Sequence, residues 1–238
     1  MNLLLLAPEE ITPDGRATLA GARRQHALEV LKLAEGDTLR CGVRGGRVGT
    51  ATVLSKDDPL QLQVALDAEP PARPGLDLIL AIPRPKALRR LIPAIASLGF
   101  DRVVLLNAAR VEKSYFDSKV LAPGYLDELL RLGLEQAKDT VAPRLIVRER
   151  FKPFVEDDLD AWAGDAKRHL LHPGKPKPVP SRTASERCVL AVGPEGGWVP
   201  FELELLAAHG FSPVSLGDRP YRVEVVVPML AGVFQPSH

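Results

Sequence analysis

The sequence predicts an α/β protein in two domains, a small β-rich one first and a larger one built on a mainly parallel sheet. Three observations predict it. Residues 1 to about 70 alternate short β-like runs with turns, a proline-rich break follows, and strand and helix patterns then alternate to the C-terminus. The break is Glu69-Pro70-Pro71-Ala72-Arg73-Pro74-Gly75, which extends neither a strand nor a helix comfortably, so the domains are expected at 1–71 and 75–238.

In the first domain the apolar start Met1-Asn2-Leu3-Leu4-Leu5-Leu6-Ala7-Pro8 reads as a strand; it lacks a basic flank and is far too short to span a bilayer. A helical patch over 21–31 is followed by the turn Ala34-Glu35-Gly36-Asp37. Strands over 39–43 and 48–54 flank the hairpin turn Arg44-Gly45-Gly46-Arg47, and a further strand covers 60–64. The pattern suggests a small barrel.

The second domain reads as strand 76–82, helix 86–98 stopped by Gly99, strand 102–106, helix 125–138, strand 145–148, helix 157–163 and strand 169–171. A polar, proline-rich loop over 173–180 follows, then strand 189–192, a helix from Pro200 to a stop at Gly210, and strand 212–216. Such alternation implies a sheet covered on both faces.

Composition excludes little by itself. In 238 residues, 31 Lys and Arg face 30 Asp and Glu, but 14 cations against 9 acids fall in residues 73–150. Cys41 and Cys188 lie in apparent strands without metal-ligand spacing, which fits a reducing compartment and argues against a disulfide framework or a zinc site.

The most informative stretch is Cys188-Val189-Leu190-Ala191-Val192-Gly193-Pro194-Glu195-Gly196-Gly197-Trp198, an apolar strand running into three glycines and a proline. Gly193, Gly196 and Gly197 can adopt positive φ and let a ligand approach bare backbone, with Pro194 stiffening the bend. A second glycine turn, Gly217-Asp218-Arg219-Pro220, precedes Tyr221-Arg222-Val223-Glu224 and an apolar run. An ordinary strand-turn-helix unit explains either turn alone; two turns bracketing one helix suggest a small-molecule cradle. The spacing is not G-x-G-x-x-G, which argues against a dinucleotide fold.

With these motifs placed, the chain resembles the RsmE family of ribosomal RNA methyltransferases, in the SPOUT class of S-adenosylmethionine enzymes. The resemblance rests on Gln25 to Lys32 with Glu35-Gly36-Asp37, Ala81-Ile82-Pro83-Arg84-Pro85-Lys86, Leu98-Gly99-Phe100, Arg110-Val111-Glu112-Lys113-Ser114, Leu134-Glu135-Gln136-Ala137 and, above all, the two glycine turns. It implies an N-terminal PUA-like β-barrel and a C-terminal SPOUT α/β domain with a deep trefoil knot. It also implies a cytoplasmic homodimer, without membrane association, that methylates N3 of a uridine in 16S rRNA of the small ribosomal subunit.

The implied cofactor is S-adenosyl-L-methionine, held near Leu171, His172, Gly193, Pro194, Glu195, Gly196, Gly197, Leu216, Gly217 and Arg222, largely by backbone groups. Arg222 is the candidate for stabilising charge on the uracil oxygens, and Glu224 for orienting Arg222 or accepting the imide proton; a plain ion pair at a helix start is the simpler reading of that pair. Glu195 is expected to touch cofactor or a partner subunit, or to cap the helix after it. The family's Thr after the R-x-E motif is Val225 here, and Pro220-Tyr221 replaces the usual Ile-Leu, so a hydroxyl that would reach cofactor or base is missing.

Candidate RNA contacts are Arg23, Arg24 and His26; Arg40, Arg44 and Arg47; and Arg84, Lys86, Arg89 and Arg90, with Trp198 and Tyr221 as candidates for touching a base or for plain core or interface positions. Two alternatives stay open: a non-catalytic or weakly active RNA-binding relative, and a SPOUT methyltransferase acting on another RNA.

Overall fold

A computed structural model describes residues 2–172, 180, 182–183 and 186–235. The loop expected over 173–180 therefore lies outside the described residues apart from Pro180. The chain divides into two compact units, Met1–Ala72 with Arg131–Ala142, and Arg73–Leu130 with Pro143–His238.

The first unit holds β1 (Leu4–Leu6), β2 (Arg16–Leu19), α1 (Gly21–Gln25), β3 (Thr38–Val43), β4 (Val48–Ser55) and β5 (Leu60–Ala68). They form one sheet in the order β1-β3-β4-β5-β2, antiparallel except for the β1–β3 pair. Alternation drives it: β2 buries Ala17 and Leu19, and β5 buries Leu60, Leu62 and Val64, on the side where Leu4, Leu6, Ala51 and Val53 gather. Strand β2 was not expected from the sequence, because only two of its four residues are apolar and its partner β5 lies some 45 residues ahead, as in Ala17 opposite Leu62. The β4–β5 register shifts at Val48/Gly49, where a Cβ on Gly49 would fall 1.9 Å from the Ala65 carbonyl oxygen; this bulge bends the strand and curls the sheet.

The expected 21–31 helix is α1 continued over His26–Val30 by wider i→i+5 bonding. Arg131–Ala142 joins this unit through the hairpin turn: Gly45 N–H donates to Thr140 O at 2.8 Å and the Thr140 hydroxyl donates to Gly46 O at 2.5 Å. No local pattern announces that association.

The second unit contains β6 (Leu76–Ala81), α2 (Pro85–Ser97), β7 (Arg102–Leu106), α3 (Pro123–Ala137, whose last turns count with the first unit), β8 (Arg144–Arg148), α4 (Phe151–Pro153) and α5 (Leu159–Ala163). It continues with β9 (Lys167–Leu171), β10 (Cys188–Val192), α6 (Pro200–Ala208), β11 (Ser212–Val214) and α7 (Val223–Val233). The six strands are parallel, in the order β11-β9-β10-β6-β7-β8. β6 and β10 are buried at every position, which suits central strands covered on both faces. Among the β6 residues is Asp77, wholly buried and tolerated because Arg102 and Arg187 both donate to it. The apolar run after Tyr221 is helix α7, with Arg222 at its N-cap and Pro228 inside it.

Arg182, 8% exposed, donates to the carbonyls of Glu186, Phe234 and Pro74, tying the segment before β10 to the start of β6 and the end of α7. Among the described residues no helix is long and apolar enough to cross a membrane.

Candidate functional site

In an open parallel sheet the carboxyl ends of the strands, where the strand order reverses, form a natural crevice. Here a cavity of about 430 Å³ lies beyond β9, β10 and β11, a size suited to a small-molecule ligand. Leu171, His172, Gly193, Pro194, Glu195, Gly196, Gly197, Leu216, Gly217 and Arg222 all line it. Val192, Val223 and Val226 add apolar wall, and the ring nitrogens His172 Nδ1 and Trp198 Nε1 are buried there without a partner among the described residues. An apolar floor, bare backbone and unpaired polar atoms fit a ligand with both apolar and hydrogen-bonding parts.

The glycines serve different purposes from those the sequence suggested. Only Gly197 (φ +73°) and Gly217 (φ +107°) are left-handed; Gly193 and Gly196 are not. A Cβ on Gly193 would lie 3.0 Å from Trp198 Nε1, and one on Gly196 would lie 2.9 Å from Arg110 Cδ. These two glycines make room for neighbouring side chains. Gly197 N–H closes the turn on Pro194 O at 2.7 Å, and the Ser215 hydroxyl braces the second turn by accepting from Gly217 N–H at 3.2 Å.

Other expectations need correction. Glu195 does not cap α6: its carboxylate accepts from Arg84 N–H at 3.2 Å, at the start of α2. The α6 N-terminus is held by Glu202, which accepts from Val199 N–H at 3.0 Å and, with its other oxygen, from Ala109 N–H at 2.7 Å. Glu202 at the third helical position is the capping-box spacing, a signal present in the sequence. Arg222 and Glu224 form no ion pair among the described residues, and Glu224, half-buried in the first turn of α7, is absent from the cavity lining. Val225 is 45% exposed and also lies outside the lining, so the missing hydroxyl does not open a gap in this cavity. Trp198 is 4% exposed with its ring centroid 5.8 Å from that of Phe151, a packing residue rather than a base contact, whereas Tyr221 is exposed on the cavity rim.

The cationic candidates divide. Arg23 pairs with Glu10 at 2.6 Å and donates to Leu5 O, Arg24 donates to Lys56 O and Asp57 O, and Arg47 pairs with Glu69 at 3.1 Å. These three are occupied within the first unit. His26 is half-buried, Arg40 is exposed beside the hairpin, and Arg44, also exposed there, is engaged with a partner of its own. Arg84, Lys86, Arg89 and Arg90 are exposed on α2 and its cap, in the unit that holds the cavity. Arg110, not singled out for the cavity from the sequence, donates to Gly196 O in the first glycine turn.

The profile of the family described as RNA methyltransferase domain matches residues 70–235, the stretch that builds this cavity. The chain belongs to the RsmE family of RNA methyltransferases. It is 30% identical over 231 residues to the ribosomal RNA small subunit methyltransferase E of Treponema pallidum, covering 94% of this chain and 86% of that protein. To the protein named ribosomal RNA small subunit methyltransferase E 1 of Borreliella burgdorferi it is 26% identical over 229 residues, covering 94% and 93%. In fold it is similar to the ribosomal RNA small subunit methyltransferase E of Neisseria gonorrhoeae bound to S-adenosyl methionine, with a TM-score of 0.78 at 19% identity over 99% of this chain and 97% of that one. For this RsmE family member the expected resemblance thus holds over nearly the whole chain.

Proposed function

We propose that the chain is an S-adenosyl-L-methionine-dependent methyltransferase that acts on N3 of a uridine in 16S rRNA of the small ribosomal subunit. The observation that carries the reading is the cavity into which both glycine turns open, lined by backbone, apolar side chains and two ring nitrogens that have no partner among the described residues. The relatives named above support the RNA class. When bound, S-adenosylmethionine supplies the methyl group as an electrophilic sulfonium.

The residues of this chain provide position and charge. Backbone groups near Leu171, Gly193, Glu195, Gly196, Leu216 and Gly217 hold the cofactor, and an aligned target nitrogen gains most of its reactivity from being held in line. Arg222 stands exposed on the cavity rim at the α7 N-cap, where a planar guanidinium suits two uracil oxygens that gain charge as the imide proton passes to water. Glu224, off the lining of one chain, favours the positive end of α7.

The reading extends to the architecture: residues 1–71 act as a PUA-like barrel that binds RNA, and 75–238 as a SPOUT domain with a trefoil knot, in a cytoplasmic homodimer. The curled five-stranded sheet and the strand order β11-β9-β10-β6 support the first two. Helix α7 supports the dimer, since Val225 and Val233 are 45% and 49% exposed on an almost wholly apolar helix. Arg40, Arg84 and Lys86 are the phosphate contacts in this reading.

Isothermal titration with S-adenosylmethionine, then mass spectrometry of 16S rRNA from a deletion strain, tests it. Micromolar binding and loss of one N3-methyluridine are expected. No binding would remove the enzyme; binding with 16S rRNA unchanged would make another RNA the substrate.

A further inference from the structure

We infer that Arg110 is a positioning residue for the methyl donor: it fixes the first glycine turn in its ligand-ready shape. The inference rests on the function proposed above. The Gly196–Gly197 peptide is held at both ends, its N–H by Pro194 O at 2.7 Å and its carbonyl by the Arg110 guanidinium. The Arg110 stem fills the space a side chain on Gly196 would need, with Cδ 2.9 Å from that Cβ position. Glycine at 196 is thus matched to arginine at 110, 86 residues away.

Arg110 is itself held in place. The N–H of its neighbour Ala109 donates to one oxygen of Glu202, while the other oxygen accepts from Val199 N–H just past the turn. Glu202 is only 2% exposed, so this carboxylate is a buried staple between the segment after β7 and the start of α6. The turn and the residue that grips it are therefore referenced to one carboxylate. A turn ordered before binding spares the ligand the cost of ordering it, so loss of the grip weakens affinity rather than the chemical step.

Arg110→Met keeps the stem and removes the donor; Arg110→Lys restores a donor. S-adenosylmethionine titrated into the full-length protein should bind Arg110→Met about tenfold more weakly than wild type, the size of one charge-assisted hydrogen bond. KM for the cofactor should rise in step while kcat at saturation changes less than threefold, and Arg110→Lys should recover part of the affinity. Circular dichroism melting should leave both variants folded. Cofactor affinity of Arg110→Met within twofold of wild type overturns the inference, as does a variant that fails to fold, which would make Arg110 a fold residue. Wild-type protein that binds no S-adenosylmethionine overturns the proposed function instead.

Discussion

Gly193→Ala and Gly217→Ala should both destabilise the protein, for different reasons that a third substitution separates. At position 193 the new methyl would lie 3.0 Å from Trp198 Nε1 and 3.1 Å from two ring carbons, so the indole must withdraw by about half an ångström to restore normal contact. Phe151 stands behind it with centroids 5.8 Å apart, so the ring cannot move freely, and overpacking of this kind costs about 1–3 kcal/mol. At position 217 nothing lies within 4 Å of the new methyl, and the cost, also about 1–3 kcal/mol, comes from φ at +107°. Trp198→Phe shrinks the ring and should relieve the first substitution only. In urea unfolding followed by far-UV circular dichroism, the 193/198 double variant should be more stable than the sum of its singles by about 1–2 kcal/mol, and the 217/198 double should be additive. Additivity at 193/198 would refute the account of Gly193 as room for the indole.

Arg222→Ala should lower turnover on small ribosomal subunits about 10²–10³-fold with S-adenosylmethionine affinity unchanged, as for loss of a donor that acts on developing charge; lost binding in a folded variant would assign Arg222 to the cofactor. Arg182→Met should cost about 3–5 kcal/mol in urea unfolding, because three backbone carbonyls lose a charged donor at a site 8% exposed; a cost under about 1 kcal/mol would refute this. His169, buried on β9 with neither ring nitrogen partnered among the described residues, has its pKa lowered from 6.5 by burial and by nearby Lys167. The unfolded chain then takes up a proton that the folded state refuses, so stability holds above that pH and declines as pH falls below it. His169→Phe should flatten the decline between pH 7.5 and 5.5, and an unchanged slope would acquit His169.

What could be read from the sequence was what lies close along it. The helix expected over 86–98 is Pro85–Ser97, and the strand expected over 102–106 is found there, because local periodicity and the stop at Gly99 suffice. The two glycine turns of the cavity were legible for a similar reason, since a strand followed by three glycines in five positions is a local anomaly, whereas Leu171, His172 and Leu216 came only from the family resemblance. Why those glycines are needed was not legible: Trp198 presses on Gly193 and Arg110 on Gly196 only in three dimensions. Helix α7 shows in the sequence only as an apolar run, since Val223-Glu224-Val225-Val226-Val227-Pro228 is rich in β-branched residues and carries a proline, and its helical state depends on tertiary packing against α2 and β10. Arg23, Arg24 and Arg47 looked like free cations because their partners Glu10, Lys56, Asp57 and Glu69 lie 13 to 33 residues away.

The bidentate role of Glu202 constrains protein engineering. Anyone transplanting the Gly-Pro-Glu-Gly-Gly bend to a new scaffold would carry over an incomplete part, because the carboxylate that secures its exit also secures a strand connection almost a hundred positions earlier. The transferable module is discontinuous: residues 107–111 must travel with 192–203, because the second stretch moved alone would carry a buried anion with half its hydrogen bonds.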